Sequence, residues 1–293
     1  MTVAIAVSTS ACIADHSLVS VEPLDAEPPS PQTQDTPFPV AEQESPPAVD
    51  DPPEVAKEPP TTADITDLIL ITGQSNALGA GTAYDYRIDT PDNRVFAYTN
   101  DGWQMADLHQ IWDQGWFPRT NPGTEPANNF ALHFGKQVVA LAPERVLGFV
   151  LITAPGQPIA HWQADGEFFN STRDKVSNAI NTLPAKAQVD GILWHQGESD
   201  GRDDDAYGRA LYQLIDDFRS EPWFGVNKSF ICSETAALPV NRQLNKLNHD
   251  SDPWTACIAA EGLPTRDFNA HFNAESLRTI GRRYADRYVQ MTR

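Results

Sequence analysis

Four continuous apolar runs constrain the fold of this 293-residue chain more than any other feature. Each has the length of a strand and lacks an alternation of polar and apolar residues, which is typical of strands buried on both faces of a sheet. Segments with apolar residues at helical spacing separate the runs. The apolar runs cover residues 68–72, 145–153, 189–195 and 228–234, and the helical patterns cover residues 127–142, 172–184, 206–221 and 274–292. This alternation predicts an α/β fold, a three-layer α/β/α sandwich with a central parallel sheet.

Residues 21–64 have a composition that does not fit this fold. They contain about half of the 24 prolines of the chain and few large apolar residues. Burial of so little apolar surface cannot offset the entropy lost on ordering, so we predict a disordered, extended linker rich in proline and acidic residues. The folded domain is expected to cover residues 65–293.

Residues 1–20 precede the linker and contain a short apolar stretch that ends in small residues and Cys12. This pattern is typical of the end of a bacterial export signal with a lipidated cysteine, and the alternative is an unstructured N-terminus. The linker favours export, to the periplasm, to the cell surface as a lipoprotein, or into the medium. Lipidation of Cys12 would leave Cys232 and Cys257 as an even pair, which either forms a disulfide in an oxidising compartment or remains two buried free thiols.

The acidic balance of the chain restricts its partners. The formal net charge is −19 and the isoelectric point is about 4.6, and a surface of this sign repels polyanions. This argues against nucleic acid or an anionic membrane as a partner and favours a neutral or polyol substrate. The chain has no C-x-x-C pair and no clustered histidines, so we predict neither a metal site nor a cofactor.

Three polar clusters follow predicted strands directly. They cover residues 73–76, 154–157 and 195–200. Ligands of open parallel sheets bind outside the carboxyl ends of the strands, where such clusters meet. The sequence therefore predicts one site built from all three clusters.

The residue types in and near these clusters suit nucleophilic catalysis. Ser75 follows the first apolar run and begins a predicted helix, so its amide can stabilise developing negative charge, although a serine that only caps the helix is the alternative. The side-chain amide of Gln196 can donate to an oxyanion, or it belongs to an ordinary polar turn. His271 precedes the last helix with Asp267 close by, which is the pair that activates a serine, unless His271 is a lone surface histidine.

Taken together, these residues resemble the SGNH (GDSL-like) hydrolase superfamily, in its sialate O-acetylesterase-like branch, which includes the acetyl xylan esterases of carbohydrate esterase family 6. The resemblance rests on a G-Q-S-N block at 73–76, a glycine-containing block at 154–157, a W-H-Q-G-E-S-D block at 194–200 and an Asp/His block before the last helix. It extends over residues 66–290. It implies a flavodoxin-like SGNH sandwich and ester hydrolysis by a serine.

The resemblance implies a role for each matching residue. Ser75 would be the nucleophile and His271 the general base and acid. The oxyanion hole would consist of the Ser75 amide, the Gly156 amide and the side chain of Gln196.

The acid of the triad departs from the family pattern. The family usually has Asp-x-x-His, whereas Asp267 lies four positions ahead of His271, and Phe268 occupies the usual position. Either the loop absorbs the extra residue and Asp267 reaches the imidazole, or the enzyme works as a Ser–His dyad with a backbone carbonyl orienting the ring. We expect Asp267 to complete the triad.

Further residues of the matching blocks are candidates for the substrate pocket. They are Gln74, Asn76, Glu125, Trp162, His195 and Glu198. Trp162, Trp194 and the aromatic residues of segment 101–118 suit stacking on sugars, and core packing is the alternative, which we favour for Trp194.

The resemblance implies a carbohydrate O-acetylesterase that works through a serine acyl-enzyme, with an acetylated glycan as substrate. One alternative is an esterase or lipase that acts on another acyl ester. The other is a catalytically silent glycan-binding domain, which the displaced acid makes conceivable.

Overall fold

A computed structural model describes residues 58–79, 82–108, 128–184, 187–200, 205–236, 239–267 and 270–293. These residues all belong to one compact unit. The predicted leader, Cys12, most of the predicted linker and Glu125 lie outside the described residues. No helix in the described ranges is long and apolar enough to cross a membrane.

A seven-stranded sheet forms the centre of the domain. Its strands are β1 (Asp67–Gly73), β2 (Val95–Thr99), β3 (Gly102–Met105), β4 (Leu147–Thr153), β5 (Val189–His195), β6 (Ser229–Ser233) and β7 (Thr255–Ile258). The spatial order is β3-β2-β4-β1-β5-β6-β7. All neighbours pair in parallel except β3, which runs antiparallel to β2 at the edge. The predicted parallel sheet is thus confirmed for six of the seven strands.

The four apolar runs correspond to β1, β4, β5 and β6, which occupy the middle of the sheet. Strand β1 is buried along its whole length, which agrees with its continuous apolar sequence. The apolar runs do not predict strands β2, β3 and β7, which are short and lie towards the two edges of the sheet. Numbered in chain order, the parallel strands run 2-3-1-4-5-6, which differs from the flavodoxin-like order 2-1-3-4-5 in the neighbours of the first strand.

Six α-helices lie in the described part of the chain. They are α1 (Ser75–Leu78), α2 (Phe130–Leu141), α3 (Glu167–Asn181), α4 (Asp205–Ser220), α5 (Asn241–Lys246) and α6 (Ala274–Met291). Alternation along β1 divides the core between the two faces of the sheet. Ile69 and Ile71 pack with residues of α2 and α6, whereas Leu68 and Leu70 pack with residues of α3, α4 and α5. The predicted three-layer α/β/α sandwich is confirmed.

Helix α6 runs antiparallel to the central strands. Near its C-terminal end, the Tyr288 hydroxyl donates to Asp67 at the start of β1, and one turn earlier the Tyr284 hydroxyl donates to the carbonyl of Trp194 near the end of β5. The first turn of α6 therefore lies at the carboxyl edge of the sheet. A two-stranded hairpin of β8 (Thr265–Asp267) and β9 (His271–Phe272) precedes it and delivers the His271 segment to this edge.

Strands β6 and β7 are joined by a disulfide. Cys232 and Cys257 are register partners in the parallel pair, and their sulfurs are bonded. Of the two alternatives for this pair, the structure shows the disulfide and not two free thiols.

Candidate active site

The turn after β1 places Ser75 at the carboxyl edge of the sheet. Gly73 has a φ of 137°, and a Cβ atom there would lie 2.1 Å from the carbonyl oxygen of His195. Only glycine allows the two chain segments to approach this closely. Ser75 then begins helix α1, which has only four residues and ends at Gly79 in the left-handed conformation. The helix predicted at this position is therefore a single turn.

Ser75, His271 and Asp267 form a continuous hydrogen-bonded chain. The Ser75 Oγ lies 2.9 Å from His271 Nε2. His271 Nδ1 lies 3.0 Å from Asp267 Oδ2 and 3.1 Å from Oδ1. A ring that donates from Nδ1 to the carboxylate leaves Nε2 free to accept the serine proton.

The hairpin explains how Asp267 reaches the ring across a spacing of four. Asp267 and His271 are paired residues of the antiparallel strands β8 and β9, and such pairs have adjacent side chains. The backbone N–H of His271 also donates to Asp267 Oδ1 over 3.0 Å. The group at Nδ1 is thus the Asp267 carboxylate and not a backbone carbonyl.

The surroundings of Asp267 favour its ionised form. Desolvation raises the pKa of the carboxyl, but the hydrogen bonds from the His271 ring and backbone N–H and the charges of His271 and Arg266 outweigh it, so the pKa is lowered. The Arg266 guanidinium lies 3.0 Å from Oδ2. Since 35% of the Asp267 side chain is exposed, solvent screens these interactions.

Gln196 is fully buried and its amide contacts protein acceptors. Its Nε2 lies 2.5 Å from Asp200 Oδ2, 3.2 Å from the Gln157 carbonyl and 3.3 Å from Gln74 Oε1. Asp200 Oδ2 also accepts from the backbone N–H of Ile159 over 3.0 Å. Asp200 therefore ties the 154–159 turn to the 195–200 cluster. The sequence had singled out its motif but not this residue.

Gly156 lies in a turn that starts beside the nucleophile turn. The N–H of Ala154 donates to the Gly73 carbonyl over 2.9 Å, and the N–H of Gln157 donates to the Ala154 carbonyl over 3.3 Å. Gly156 is exposed, and among the described residues no heavy atom beyond its two chain neighbours lies within 4 Å of the position a Cβ would take. The structure thus brings all three predicted polar clusters to one edge of the sheet.

The pocket candidates among the described residues have little exposed surface. Gln74, Asn76 and His195 are buried, and the side chain of Glu198 is 7% exposed. Trp162 is a core residue that packs edge-on against Trp194 with ring centroids 5.5 Å apart, so it offers no surface for a sugar. Trp194 is also a core residue, in agreement with the core packing that the sequence analysis favours for it.

Asn76 instead contacts the segment that carries His271. Its Oδ1 accepts from the N–H of Phe272 over 3.0 Å, and its Nδ2 donates to the carbonyl of Ala270 over 3.0 Å. Nδ2 also donates to Glu198 Oε1 over 2.5 Å. Among the described residues, no three His, Cys, Asp or Glu side chains are grouped so that they could hold a metal ion.

A Ser–His–Asp chain at the carboxyl edge of an α/β/α sheet has the geometry of hydrolases that act on esters. The comparisons with known proteins agree. Residues 65–290 match the family model described as carbohydrate esterase, sialic acid-specific acetylesterase. The chain belongs to this family of carbohydrate esterases, and the predicted resemblance is confirmed.

Two relatives illustrate the similarity. The chain is 23% identical over 247 residues to an Arabidopsis thaliana protein named as a probable carbohydrate esterase, and the match covers 76% of this chain and 90% of the relative. The solved structure of that protein superposes with a TM-score of 0.62 at 18% identity, over 76% of this chain and 98% of the other. A carbohydrate acetylesterase from Xanthomonas citri superposes with a TM-score of 0.54 at 18% identity, over 77% of this chain and 56% of the other. At these identities the two structures show a shared fold.

Proposed function

We propose that this chain removes O-acetyl groups from a carbohydrate through an acetyl-enzyme intermediate on Ser75. The observation that carries the proposal is the hydrogen-bonded chain from Ser75 Oγ through the His271 ring to the Asp267 carboxylate. Membership of a carbohydrate esterase family supports the substrate class.

In the first half of the reaction, Ser75 Oγ attacks the carbonyl carbon of the acetyl group while its proton passes to His271 Nε2. The intermediate collapses when the bond to the sugar oxygen breaks and Nε2 returns the proton to that oxygen. In the second half, water attacks the acetyl group, gives its proton to Nε2, and releases acetate as Ser75 regains its hydrogen. Asp267 holds the ring tautomer and stabilises the imidazolium formed in each half.

The negative charge of the tetrahedral intermediates needs donors at the same edge of the sheet. We assign this role to the N–H groups of Ser75 and Gly156, with Gln196 as a third donor. One hydrogen of Gln196 Nε2 is directed to Asp200. The other is shared between acceptors at 3.2 and 3.3 Å, which is at the long end of the hydrogen-bond range, so an oxyanion can compete for it.

The disulfide supports a location outside the cytoplasm. Disulfides persist in oxidising compartments, and the Cys232–Cys257 bond closes a sequence separation of 25 residues. We therefore propose an exported esterase domain over residues 65–293. The acidic linker connects this domain to a lipid anchor at Cys12. The substrate in this proposal is an acetylated glycan of the cell exterior.

The test is release of acetate from a panel of acetylated glycans, with 4-nitrophenyl acetate as a small ester. We expect turnover on both, and a loss of at least about a thousandfold in Ser75→Ala, because the hydroxyl forms the covalent bond. Ser171→Ala, at an exposed hydroxyl that bonds only to its own helix, is the matched control and should keep the wild-type rate.

Three results would contradict the proposal. An inactive wild-type protein that still binds glycans would support the silent binding domain. A strong preference for long acyl chains would support a lipase. Full activity of Ser75→Ala would remove the nucleophile from the mechanism.

A further inference from the structure

Asn76 directly follows the proposed nucleophile, yet its side chain is buried and directed at protein groups. Only 2% of the residue is exposed. Both amide hydrogens and one lone pair of the amide oxygen have protein partners, so the donors of this side chain are used within the protein.

Two of these partners flank His271 on either side. The carbonyl of Ala270 accepts from Asn76 Nδ2, and the N–H of Phe272 donates to Asn76 Oδ1, each over 3.0 Å. One side chain therefore fixes the peptide groups before and after His271. Since Asn76 and Ser75 are neighbours in α1, this contact sets where the His271 ring stands relative to the serine hydroxyl.

Glu198 favours the same orientation of the Asn76 amide as these two backbone groups. Its Oε1 accepts from Nδ2 over 2.5 Å, and the side chain is only 7% exposed. Hydrogen bonds to a carboxylate are short and strong. A flipped amide would place its oxygen against Glu198 Oε1 and the Ala270 carbonyl, which are both acceptors, so only the observed orientation satisfies all three partners.

The buried His195 ring is a further polar neighbour of this carboxylate, and the Tyr207 and Tyr284 hydroxyls are near enough to interact with its charge. His195 Nε2 lies 3.4 Å from Glu198 Oε1. The ring packs between Phe130 and Phe272, with centroid distances of 5.9 Å to each. The Glu198 carboxylate therefore lies between the Asn76 amide and the buried His195 ring.

We infer that Asn76 and Glu198 are positioning residues: Glu198 orients the Asn76 amide, and this amide holds the His271 segment so that Nε2 stays within hydrogen-bond reach of Ser75 Oγ. The inference rests on the proposed serine mechanism. A displacement of about 1 Å between reacting groups can lower a rate on the order of a hundredfold, so the pair acts on turnover more than on substrate binding.

The first test is N76D, which keeps the shape of the side chain but exchanges the donor for an acceptor. An introduced carboxylate faces Glu198 Oε1 and the Ala270 carbonyl and repels both. We expect kcat for 4-nitrophenyl acetate to fall roughly a hundredfold, while KM changes less than about threefold.

The double variant N76D/E198Q separates positioning from a loss of folding. The amide introduced by E198Q can donate to the carboxylate introduced by N76D, which reverses the direction of the original hydrogen bond. We expect about a tenfold recovery of kcat relative to N76D, and incomplete recovery because the Ala270 carbonyl still lacks a donor. E198A is the second single variant. It removes the carboxylate that accepts from Asn76 Nδ2 and leaves Asn76 unchanged, and we expect kcat to fall about tenfold.

Asn241 supplies a matched control. Its amide also bridges a backbone N–H and a backbone carbonyl, both of Thr235, over 2.8 and 2.9 Å, in a segment that does not carry His271. N241D should lower the melting temperature and leave kcat of the folded enzyme within about twofold of wild type.

The inference is overturned if N76D and E198A keep wild-type kcat, or if the double variant is no faster than N76D. These results differ from failure of the proposed function, because in that case the wild-type enzyme is inactive or Ser75→Ala stays active.

Discussion

The pairing of Asp267 with His271 depends on two adjacent strands and not on the usual sequence spacing. Both carboxylate oxygens lie within 3.1 Å of Nδ1, and Oδ1 also accepts from the His271 backbone. The same bonds lower the pKa of Asp267, so the carboxylate stays ionised at pH values below its ordinary pKa. At neutral pH the ring therefore faces a charged acceptor.

We predict that Asp267→Asn lowers kcat/KM for 4-nitrophenyl acetate on the order of a thousandfold. The amide would donate to Nδ1 and so favour the tautomer whose Nε2 carries a hydrogen, which cannot accept the serine proton. Arg266→Gln removes only the neighbouring cation and should cost less than about fivefold. A rate for Asp267→Asn within tenfold of wild type would show that the enzyme works as a Ser–His dyad.

Ser75 and His271 could be predicted because each lies in a recognisable short motif, and Asp267 because it is the nearest carboxylate ahead of His271. The contacts of Asn76 and Asp200 could not. Asn76 meets partners 122, 194 and 196 positions away in the chain, and Asp200 meets Ile159 across 41 positions. Such contacts depend on how three segments meet at the sheet edge, and from the sequence Asn76 is only a pocket candidate in a matching block.

At the scale of elements, a buried ion cluster connects the segment after α1 to two helices. Asp89 is fully buried, and its Oδ1 contacts His133 of α2 over 2.7 Å while its Oδ2 contacts Arg278 of α6 over 2.8 Å. Desolvation raises the pKa of Asp89, but the hydrogen bonds from Arg278, His133 and the Asp85 backbone outweigh it, so the pKa is lowered. The cluster holds α6 at Arg278, and this helix begins three residues after His271.

We predict that Asp89→Asn lowers the free energy of unfolding by about 3–5 kcal/mol at pH 7, because it leaves the Arg278 charge buried without its partner. A carboxyl whose pKa is lower in the folded protein stabilises the fold at pH values above its unfolded pKa of about 3.9. This stabilisation is lost as the pH falls towards the folded pKa. The difference between wild type and variant should therefore shrink below about pH 4. Urea denaturation of wild type and variant at pH 7 and below about pH 4 measures the difference in the free energy of unfolding.

Asp216→Asn, at an exposed carboxylate of α4, is the control and should change stability by less than about 0.5 kcal/mol. The role of the cluster would be contradicted if Asp89→Asn lowered the free energy of unfolding by less than about 0.5 kcal/mol. It would also be contradicted if the difference in stability between wild type and Asp89→Asn grew as the pH falls.

The central strands and long helices could be predicted because burial on both faces gives a continuous apolar sequence. The edges could not, because none of the four residues of β3 is buried and β7 has only four residues. Helix α3 begins at Glu167, ahead of the predicted start at residue 172, since its first turn packs Phe169 into the core. The β8–β9 hairpin has too few residues to leave a periodic pattern.

At the scale of the whole molecule, both cores and the proposed triad lie in the described residues that follow position 57. Residues 1–57 carry roughly half of the excess negative charge and ten of the 24 prolines. We predict that a chain lacking residues 1–57 keeps its melting temperature within about 2 °C and its kcat/KM for 4-nitrophenyl acetate within about twofold. Loss of cooperative unfolding in the shortened chain would show that the N-terminal residues belong to the folded domain.

The central claim is that Ser75 carries the acetyl group during turnover. Mass spectrometry of enzyme that is quenched rapidly during reaction with excess 4-nitrophenyl acetate tests it directly, because the acetylated peptide identifies the residue. We predict one acetyl group on Ser75 in the wild-type enzyme and none at this position or elsewhere in Ser75→Ala. Turnover without acetylation of Ser75, or an acetyl group on another residue of an active Ser75→Ala variant, would contradict the account.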